Sequence, residues 1–308
     1  MNMQKQQPVE WYTVFLFFAC YSTWIVSLYA YTLIGYPALI LTVLATAFQS
    51  SLQHEALHGH PTQSWLCNEI LATPAVGVWF PYRRYQTLHL RHHKDQRLTD
   101  PLEDPESWYV TQQTWIKMSR IQQWILTLNG TLLGRLILGP IISWTGFWRS
   151  DFQAIVQGNR RIALDWLIHL VGLIPVWMVL NSVALPLWQY SLLVAYPATS
   201  IMLIRSFIEH RAAVDFQQRT AVVEAGWFMR MMFLNNNLHA VHHRYPALPW
   251  FALPKIWQER KEQVLSENGN YLIHGGYAEV ARRWLLRCRE PNIHPQLHKA
   301  ETPTHSSQ

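Results

Sequence analysis

His89-Leu-Arg-His92-His93 is one of two His-x-x-His-His sequences in this chain, and the other is His239-Ala-Val-His242-His243. A third cluster, His54-Glu-Ala-Leu-His58, precedes both. For a chain with 15 histidines among 308 residues, random placement predicts about 0.04 copies of His-x-x-His-His. The two copies therefore indicate a common role rather than chance.

The spacing within each cluster favours metal binding. Side chains three and four residues apart lie on one face of a helix, so each cluster can direct two or three imidazoles at one point. The clusters together hold eight histidines, whereas a tetrahedral zinc ion takes four ligands and structural zinc sites favour sulfur as well as nitrogen. Imidazole also suits iron, copper and nickel. We therefore predict a dinuclear, all-histidine redox metal site; a pair of iron ions that shared these nitrogens would still keep positions open for dioxygen.

The composition is typical of a chain that is partly immersed in lipid. Half of the residues are hydrophobic, 14% are charged, and 16 are tryptophan. A membrane-crossing helix needs about 20 apolar residues, and the stretches near that length are 11–34, 36–52, 162–180 and 183–204. We predict an all-α integral membrane protein with four transmembrane helices in two hairpins, and a cytoplasmic helical cap that carries the histidine clusters.

The distribution of lysine and arginine predicts the orientation. One of the 25 basic residues precedes the first span, 11 lie in residues 59–161, and 13 lie from residue 205 onward. By the positive-inside rule, both termini and the middle segment face the cytoplasm, so all three clusters lie on one side. Two other apolar stretches are not expected to cross the membrane. Residues 65–80 are interpreted as a re-entrant or interfacial helix, and residues 124–147 as lying along the surface.

The chain is expected to form a single domain over residues 1–290. Residues 291–308 are rich in Pro, His, Thr, Ser and Gln without periodicity and are interpreted as a disordered tail. His294, His298 and His305 are therefore expected to be solvated rather than bound to metal. The net charge of +6 is spread along the cytoplasmic segments, which does not favour nucleic acid as a partner.

The histidine clusters resemble the three boxes of the membrane-bound fatty acid desaturase superfamily, over about residues 50–255. The resemblance extends to Asn237-Leu-His239 at the start of the third box, and to Pro246 and Pro249, which should end a helix in residues 228–243. It implies two iron ions, activation of dioxygen and electrons from outside. Members also tend to carry one more histidine beyond the last span, and His210 is the matching residue here.

The resemblance implies an oxygen-dependent oxidoreductase that introduces a double bond into the aliphatic chain of a lipid. Hydroxylases and ketolases of lipids, alkanes or carotenoids carry the same boxes, so those reactions are the alternative. No cytochrome b5-like segment is recognised, and we expect a separate electron donor, either ferredoxin-like or cytochrome b5-like with its reductase. The bacterial inner membrane is the expected location, with the endoplasmic reticulum as the alternative.

Carboxylates commonly orient metal-binding histidines by accepting the free ring N–H. Glu55 and Glu209 are adjacent to expected ligands, and Asp95 follows the second box closely. These three residues are predicted to orient ligands, with Asp100 and Asp104 as further candidates in the same loop.

Aromatic residues precede the second box. Trp79, Tyr82 and Tyr85 could line an acyl channel that leads to the metal site. Aromatic side chains are also enriched where a membrane protein meets the headgroup region, so an interfacial belt is the competing interpretation.

The first box permits one different chemistry. His54-Glu55-Ala-Leu-His58 satisfies the His-Glu-x-x-His signature of zinc proteases, in which Glu55 would be the general base. A membrane zinc metalloprotease needs one further ligand and leaves five clustered histidines unexplained. Loss of activity on changing His92 or His242 would exclude it.

Overall fold

The computed structural model describes residues 9–94 and 97–295, most of which are helical. The helices in chain order are α1 Trp11–Ile34, α2 Leu39–Leu57, α3 Trp65–Ala72, α4 Tyr82–Lys94, α5 Gln112–Lys117, α6 Arg120–Asn129, α7 Leu132–Val156, α8 Arg160–Ser182, α9 Leu187–Tyr190, α10 Tyr196–Glu209, α11 Trp227–Met232, α12 His239–Arg244, α13 Leu253–Glu267 and α14 Gly276–Trp284. A π-helical segment, Ser191–Ala195, joins α9 and α10. The strands β1 Val222–Val223 and β2 Leu272–Ile273 pair in parallel.

Three of the described helices are long and apolar enough to cross a membrane: Trp11–Ile34, Arg160–Ser182 and the continuous Leu187–Glu209. They correspond to three of the four predicted spans. The other predicted span, residues 36–52, begins in the 3-10 turn Tyr36–Ala38 and continues as α2. α2 is not among the three, because polar side chains such as Gln49, His54 and Glu55 are buried along its second half. The four-span topology and the cytoplasmic cap stay predictions.

The exposed side of α1 shows why the chain suits an apolar environment. Phe17 and Leu28 are fully buried, whereas Phe15 and Leu33 are 68% and 84% exposed. Burying such side chains is worth about 1.5–3 kcal/mol each, and lipid supplies that burial where protein does not. The helix ends at Gly35, whose positive φ of 70° suits glycine.

A buried tyrosine connects the helices on which the site is built. Tyr190 accepts a hydrogen bond from Trp24 Nε1 at 2.8 Å and donates one to the Val76 carbonyl at 2.7 Å. The Thr46 hydroxyl lies 3.2 Å from the same oxygen. These contacts join α1, α2 and α9 to the segment between α3 and α4. α3 has only eight residues, too few to cross a membrane, and the re-entrant or interfacial placement of residues 65–80 stays a prediction.

Residues 120–156 contain a sharp bend that the sequence did not indicate. The segment forms two helices, α6 and α7, that meet at an angle of 119°. Thr131 starts α7 by accepting the Gly134 N–H with its side chain, which breaks the chain direction at residue 130. α7 has 25 residues, so the pair can also be read as one broken span. The expectation that residues 124–147 lie along the membrane surface stays a prediction.

The third histidine box is carried by a short helix rather than by one long helix across residues 228–243. α11 ends at Met232, and Leu234 and Asn235 follow with positive φ values of 46° and 56°, which a helix cannot accommodate. α12 then starts at His239 and ends at Arg244, before Pro246 as predicted.

The start of the predicted tail packs against the domain. Ile293 forms a parallel bridge with Val110. His294 is 3% exposed, and its Nε2 lies 3.0 Å from the Thr99 hydroxyl, so the expectation that this histidine is solvated is wrong. His298, His305 and the rest of the tail lie outside the described residues.

Candidate metal centre

Four helix ends position the nine predicted histidines. His54 and His58 lie at the end of α2, the second box lies at the end of α4, His210 caps α10, and the third box forms α12. Backbone hydrogen bonds from Val223 N–H to the Asn237 carbonyl and from Ala240 N–H to the Ala221 carbonyl hold α12 against β1. The polar end of each element therefore meets the others in one buried region.

The structure brings these histidines together in two groups. The ligand atoms within each group lie within 4.8 Å of one another. The five-histidine group consists of His54, His58, His89, His93 and His242. The four-histidine group consists of His92, His210, His239 and His243.

Each His-x-x-His-His box contributes to both groups. His89 and His93 belong to the five-histidine group, whereas His92 belongs to the four-histidine group. The third box shows the reverse pattern. His242 belongs to the five-histidine group, whereas His239 and His243 belong to the four-histidine group. Residues four apart share a helix face while adjacent residues diverge by about 100°, so one short helix can serve two centres.

The imidazole nitrogens approach one another closely. In the five-histidine group, His93 Nε2 lies 3.0 Å from His89 Nε2 and 3.1 Å from His242 Nε2. In the four-histidine group, His210 Nε2 lies 3.0 Å from both His92 Nε2 and His239 Nε2. Such spacing places several possible ligand atoms around a common point.

Oxygen acceptors on the other ring nitrogen set the tautomers. His89 Nδ1 lies 2.7 Å from Glu106 Oε1, and His92 Nδ1 lies 2.8 Å from Asp104 Oδ1. His239 Nδ1 lies 3.0 Å from Asn236 Oδ1. Because these oxygens accept, Nδ1 carries a proton in each ring, and Nε2 is the nitrogen that remains to bind a metal ion.

The carboxylates predicted from sequence have different outcomes. Glu209 Oε1 lies 3.2 Å from His239 Nδ1. Glu55 Oε1 is 3.8 Å from His54 Nδ1, beyond hydrogen-bonding distance, and its other oxygen accepts the Trp250 N–H. Asp95 lies outside the described residues. Asp104, a further candidate from sequence, lies 2.8 Å from His92 Nδ1.

Glu106 was missed by the sequence reasoning. It is 17 residues from His89, its partner, so helix spacing gives no hint of the contact. The available signal was its place two residues after Asp104, in the acidic loop that follows the second box.

Burial keeps the imidazoles neutral. Desolvation lowers the pKa of His58 and of His210 to about 3, and it lowers the pKa of His242 and His243 well below the ordinary value. At His92 burial also disfavours the charge, but Glu106 and Asp104 outweigh it and raise the pKa to about 9. The cluster therefore offers mainly neutral nitrogen donors, and the carboxylates beside His92 favour a positive charge at that position.

The predicted channel residues lie in different surroundings. Trp79 stacks on Trp144 with ring centroids 3.7 Å apart. Tyr82 is buried in the core, and the Tyr85 ring lies 5.6 Å from the ring of His89. Tyr85 is thus the one of the three that reaches the histidines, and an acyl channel along these residues stays a prediction.

The protease interpretation does not match the arrangement around the first box. His54 and His58 share their group with three more histidines, whereas a catalytic zinc has three protein ligands and an open position. Glu55 is engaged by a backbone N–H rather than free to act as a base.

The fold and the site together define a helical protein with apolar, membrane-length helices and two convergent groups of imidazoles. A model of the fatty acid desaturase family matches residues 22–275. The chain therefore belongs to the fatty acid desaturase family. No individually curated protein matches the sequence.

Proposed function

We propose that this protein is a di-iron, oxygen-dependent desaturase that introduces a double bond into the aliphatic chain of a membrane lipid. The observation that carries the proposal is the division of nine imidazoles, five of them buried and four partly buried, into a group of five and a group of four. The family match supports an oxidoreductase, and the two groups supply a binding site for each of two ions.

The donor set fits metal ions better than it fits hydrogen bonding among the rings. His92 and His239 both direct Nε2 at the Nε2 of His210, and each carries a proton on Nδ1. His239 is neutral and His210 Nε2 can carry at most one proton, so at least one of the two contacts brings two lone pairs or two N–H groups together at 3.0 Å. A cation between the rings removes that repulsion, which supports a metal at the four-histidine group.

The nitrogen spacing favours a six-coordinate ion over tetrahedral zinc. Two nitrogens about 2.1 Å from one ion are about 3.0 Å apart at a right angle and about 3.4 Å apart at the tetrahedral angle. The observed 3.0–3.1 Å agrees with the right angle. A six-coordinate iron held by five or by four histidines keeps at least one position open. The argument for iron is this geometry, because the Irving–Williams order of affinities does not by itself favour iron over copper or zinc.

Iron held here supplies dioxygen activation, and desaturation then consumes one dioxygen, two electrons and two protons while the substrate loses two hydrogens and two waters form. The chain's own residues hold the ions and fix the rings. Asp104 and Glu106 hold the Nδ1 protons of His92 and His89. The exposure of both rings is at most 2%, which keeps bulk water from the reacting region.

The family supports a lipid substrate, and we propose an external electron donor beside it. The donor is proposed to be a ferredoxin-like or cytochrome b5-like protein with its reductase. The topology is proposed as four spans with both termini in the cytoplasm, in the bacterial inner membrane or alternatively the endoplasmic reticulum. Hydroxylation or ketone formation on a lipid, alkane or carotenoid is the competing reaction, since positioning of the substrate decides between the outcomes.

The test is the metal content and Mössbauer spectrum of detergent-purified protein from cells grown on iron-57. About two irons per chain are expected, with both lost in the double variant His92→Ala, His242→Ala, which removes one ligand from each group. His274→Ala is the matched control, because His274 is 73% exposed and belongs to neither group. One zinc and no iron would overturn the proposal.

The reaction is tested by lipid analysis of cells that express the wild-type chain, a reductase system and the same double variant. New double bonds that depend on His92 and His242 are expected in the lipids. New hydroxyl or keto groups in place of double bonds would refute desaturation, but they would still be consistent with the proposed iron site.

A further inference from the structure

A small cavity lies beside the four-histidine group on the side of the loop that follows the second box. Its volume is about 50 Å³, and its walls include Trp108, Tyr109, Arg135, His210, Arg289 and Asn292. We call it the Arg135 cavity.

Arg135 is a buried cation without a counterion among the residues that the structure describes. Its exposure is 6%, and its guanidinium lies over the ring of Trp108 at 3.6 Å. Nε donates to the Asn129 carbonyl at 3.2 Å, whereas Nη1 is buried and has no hydrogen-bond partner. A charged donor left in this state is costly, and the stacking on Trp108 offsets only part of that cost.

The acidic residues around the cavity are already engaged elsewhere. Glu106 binds His89, and Asp104 binds His92. Glu209 contacts Arg205 at 2.8 Å. The remaining acid, Glu290, is bound by Arg289 at 2.8 Å and by the hydroxyl of Tyr109. Arg135 is the charge in this wall that the protein leaves unpaired within the described residues.

We propose that the Arg135 cavity binds a monocarboxylate, whose oxygen accepts a hydrogen bond from the Arg135 guanidinium. Arginine is suited to carboxylates by its planar donor set. Each water-sized site needs about 10–15 Å³, so a volume of about 50 Å³ holds a carboxylate group but not a hydrocarbon chain. A dianion is disfavoured because four carboxylates line the same wall. The proposal does not depend on the oxidation chemistry.

The test uses fluorine-19 NMR of trifluoroacetate with the detergent-purified full chain, at constant ionic strength set by chloride. Saturable line broadening is expected, reversed by acetate but not by the neutral acetamide. Arg135→Met should weaken binding about 10- to 100-fold, as loss of a hydrogen bond to a charged group implies. Arg120→Met is the matched control, because this substitution removes the same charge from an exposed position.

Arg135→Met is expected to fold, since replacing an unpaired buried cation by an apolar side chain removes a desolvation cost. The comparison of acetate with acetamide as competitors of trifluoroacetate needs only the wild-type chain. It therefore stays decisive if the variant fails to fold. Absence of saturable broadening, or equal broadening in Arg135→Met and Arg120→Met, would overturn the proposal and leave water as the occupant.

A final arm distinguishes the two sources of a carboxylate. If decanoate displaces trifluoroacetate at a lower concentration than acetate does, and decanol does not displace it, the site binds the carboxylate end of an acyl chain. Equal displacement by decanoate and acetate would assign it to a small free acid. Both results support binding of a carboxylate.

Discussion

Glu106 Oε1 lies 2.7 Å from Nδ1 of His89, although the two residues are 17 positions apart. The contact ties the acidic loop after α4 to the five-histidine group. It fixes the His89 ring so that its Nε2 points toward His93. Groups that orient ligands in this way commonly matter almost as much as the ligands themselves.

Removing that carboxylate should weaken metal binding. Glu106→Ala is expected to lower iron affinity or activity about 10- to 100-fold, because the His89 ring loses its orienting acceptor. Iron retention during dialysis measures the effect. Glu103→Ala is the control from the same loop, since Glu103 pairs with the exposed Arg97 instead of a histidine. Equal iron retention in the two variants would contradict the role of Glu106.

Asp104 should combine an orienting role with a structural one. Its Oδ1 faces His92 Nδ1, and its Oδ2 accepts the Thr99 N–H at 2.7 Å. In Asp104→Asn the side-chain NH₂ faces either His92 Nδ1–H or the Thr99 N–H, so two donors meet and one hydrogen bond is lost. This should lower the free energy of unfolding by about 1–3 kcal/mol. Thermal unfolding in detergent should therefore show a lower Tm for Asp104→Asn than for wild type. An unchanged Tm would show that the loop tolerates the amide.

His210 should be needed for one ion only. It belongs to the four-histidine group and not to the other, so His210→Ala is expected to keep about one of two irons per chain. Iron content per chain, with Mössbauer spectroscopy to identify the remaining ion, provides the measurement. Retention of both irons would remove His210 from the ligand set.

Metal removal should destabilise the folded chain. Ring nitrogens that repel one another in the four-histidine group lose their compensating cation, and a ligand that binds only the folded state raises its stability. A chelator is expected to lower the Tm of the wild-type chain, and iron should restore it. The His92→Ala, His242→Ala variant should have the same Tm with chelator and with iron. A Tm that changes with chelator in this variant would indicate a metal bound elsewhere.

The Tyr190 hydroxyl should contribute to the packing that supports the site. Tyr190→Phe leaves the buried Trp24 N–H and the Val76 carbonyl without this partner, at an expected cost of about 1–3 kcal/mol for each unsatisfied group. Tyr29→Phe is the matched control, because the Tyr29 hydroxyl bonds to Ser182 at an exposed position. A lower Tm is expected for Tyr190→Phe alone, and equal Tm values would contradict the role.

The limits of sequence reasoning are clearest where a contact depends on distant parts of the chain. Periodic apolar stretches predicted α1, α8 and the helix Leu187–Glu209 within a few residues. The break between α6 and α7 was not predicted, because an apolar run does not reveal that Thr131 caps a new helix. Burial of His294 against Thr99 was likewise hidden in a segment of low-complexity composition.

The sequence by itself determined the histidine content of the site, because three- and four-residue spacing on a helix is a local property. It also determined the apolar helices and the family resemblance. Only the tertiary structure decided that His92 and His93 serve different groups, that Glu106 orients His89, and that Arg135 has no counterion among the described residues. Each of these depends on how separate helices approach one another. Long-range packing sets that approach, and the spacing of residues within one helix does not encode it.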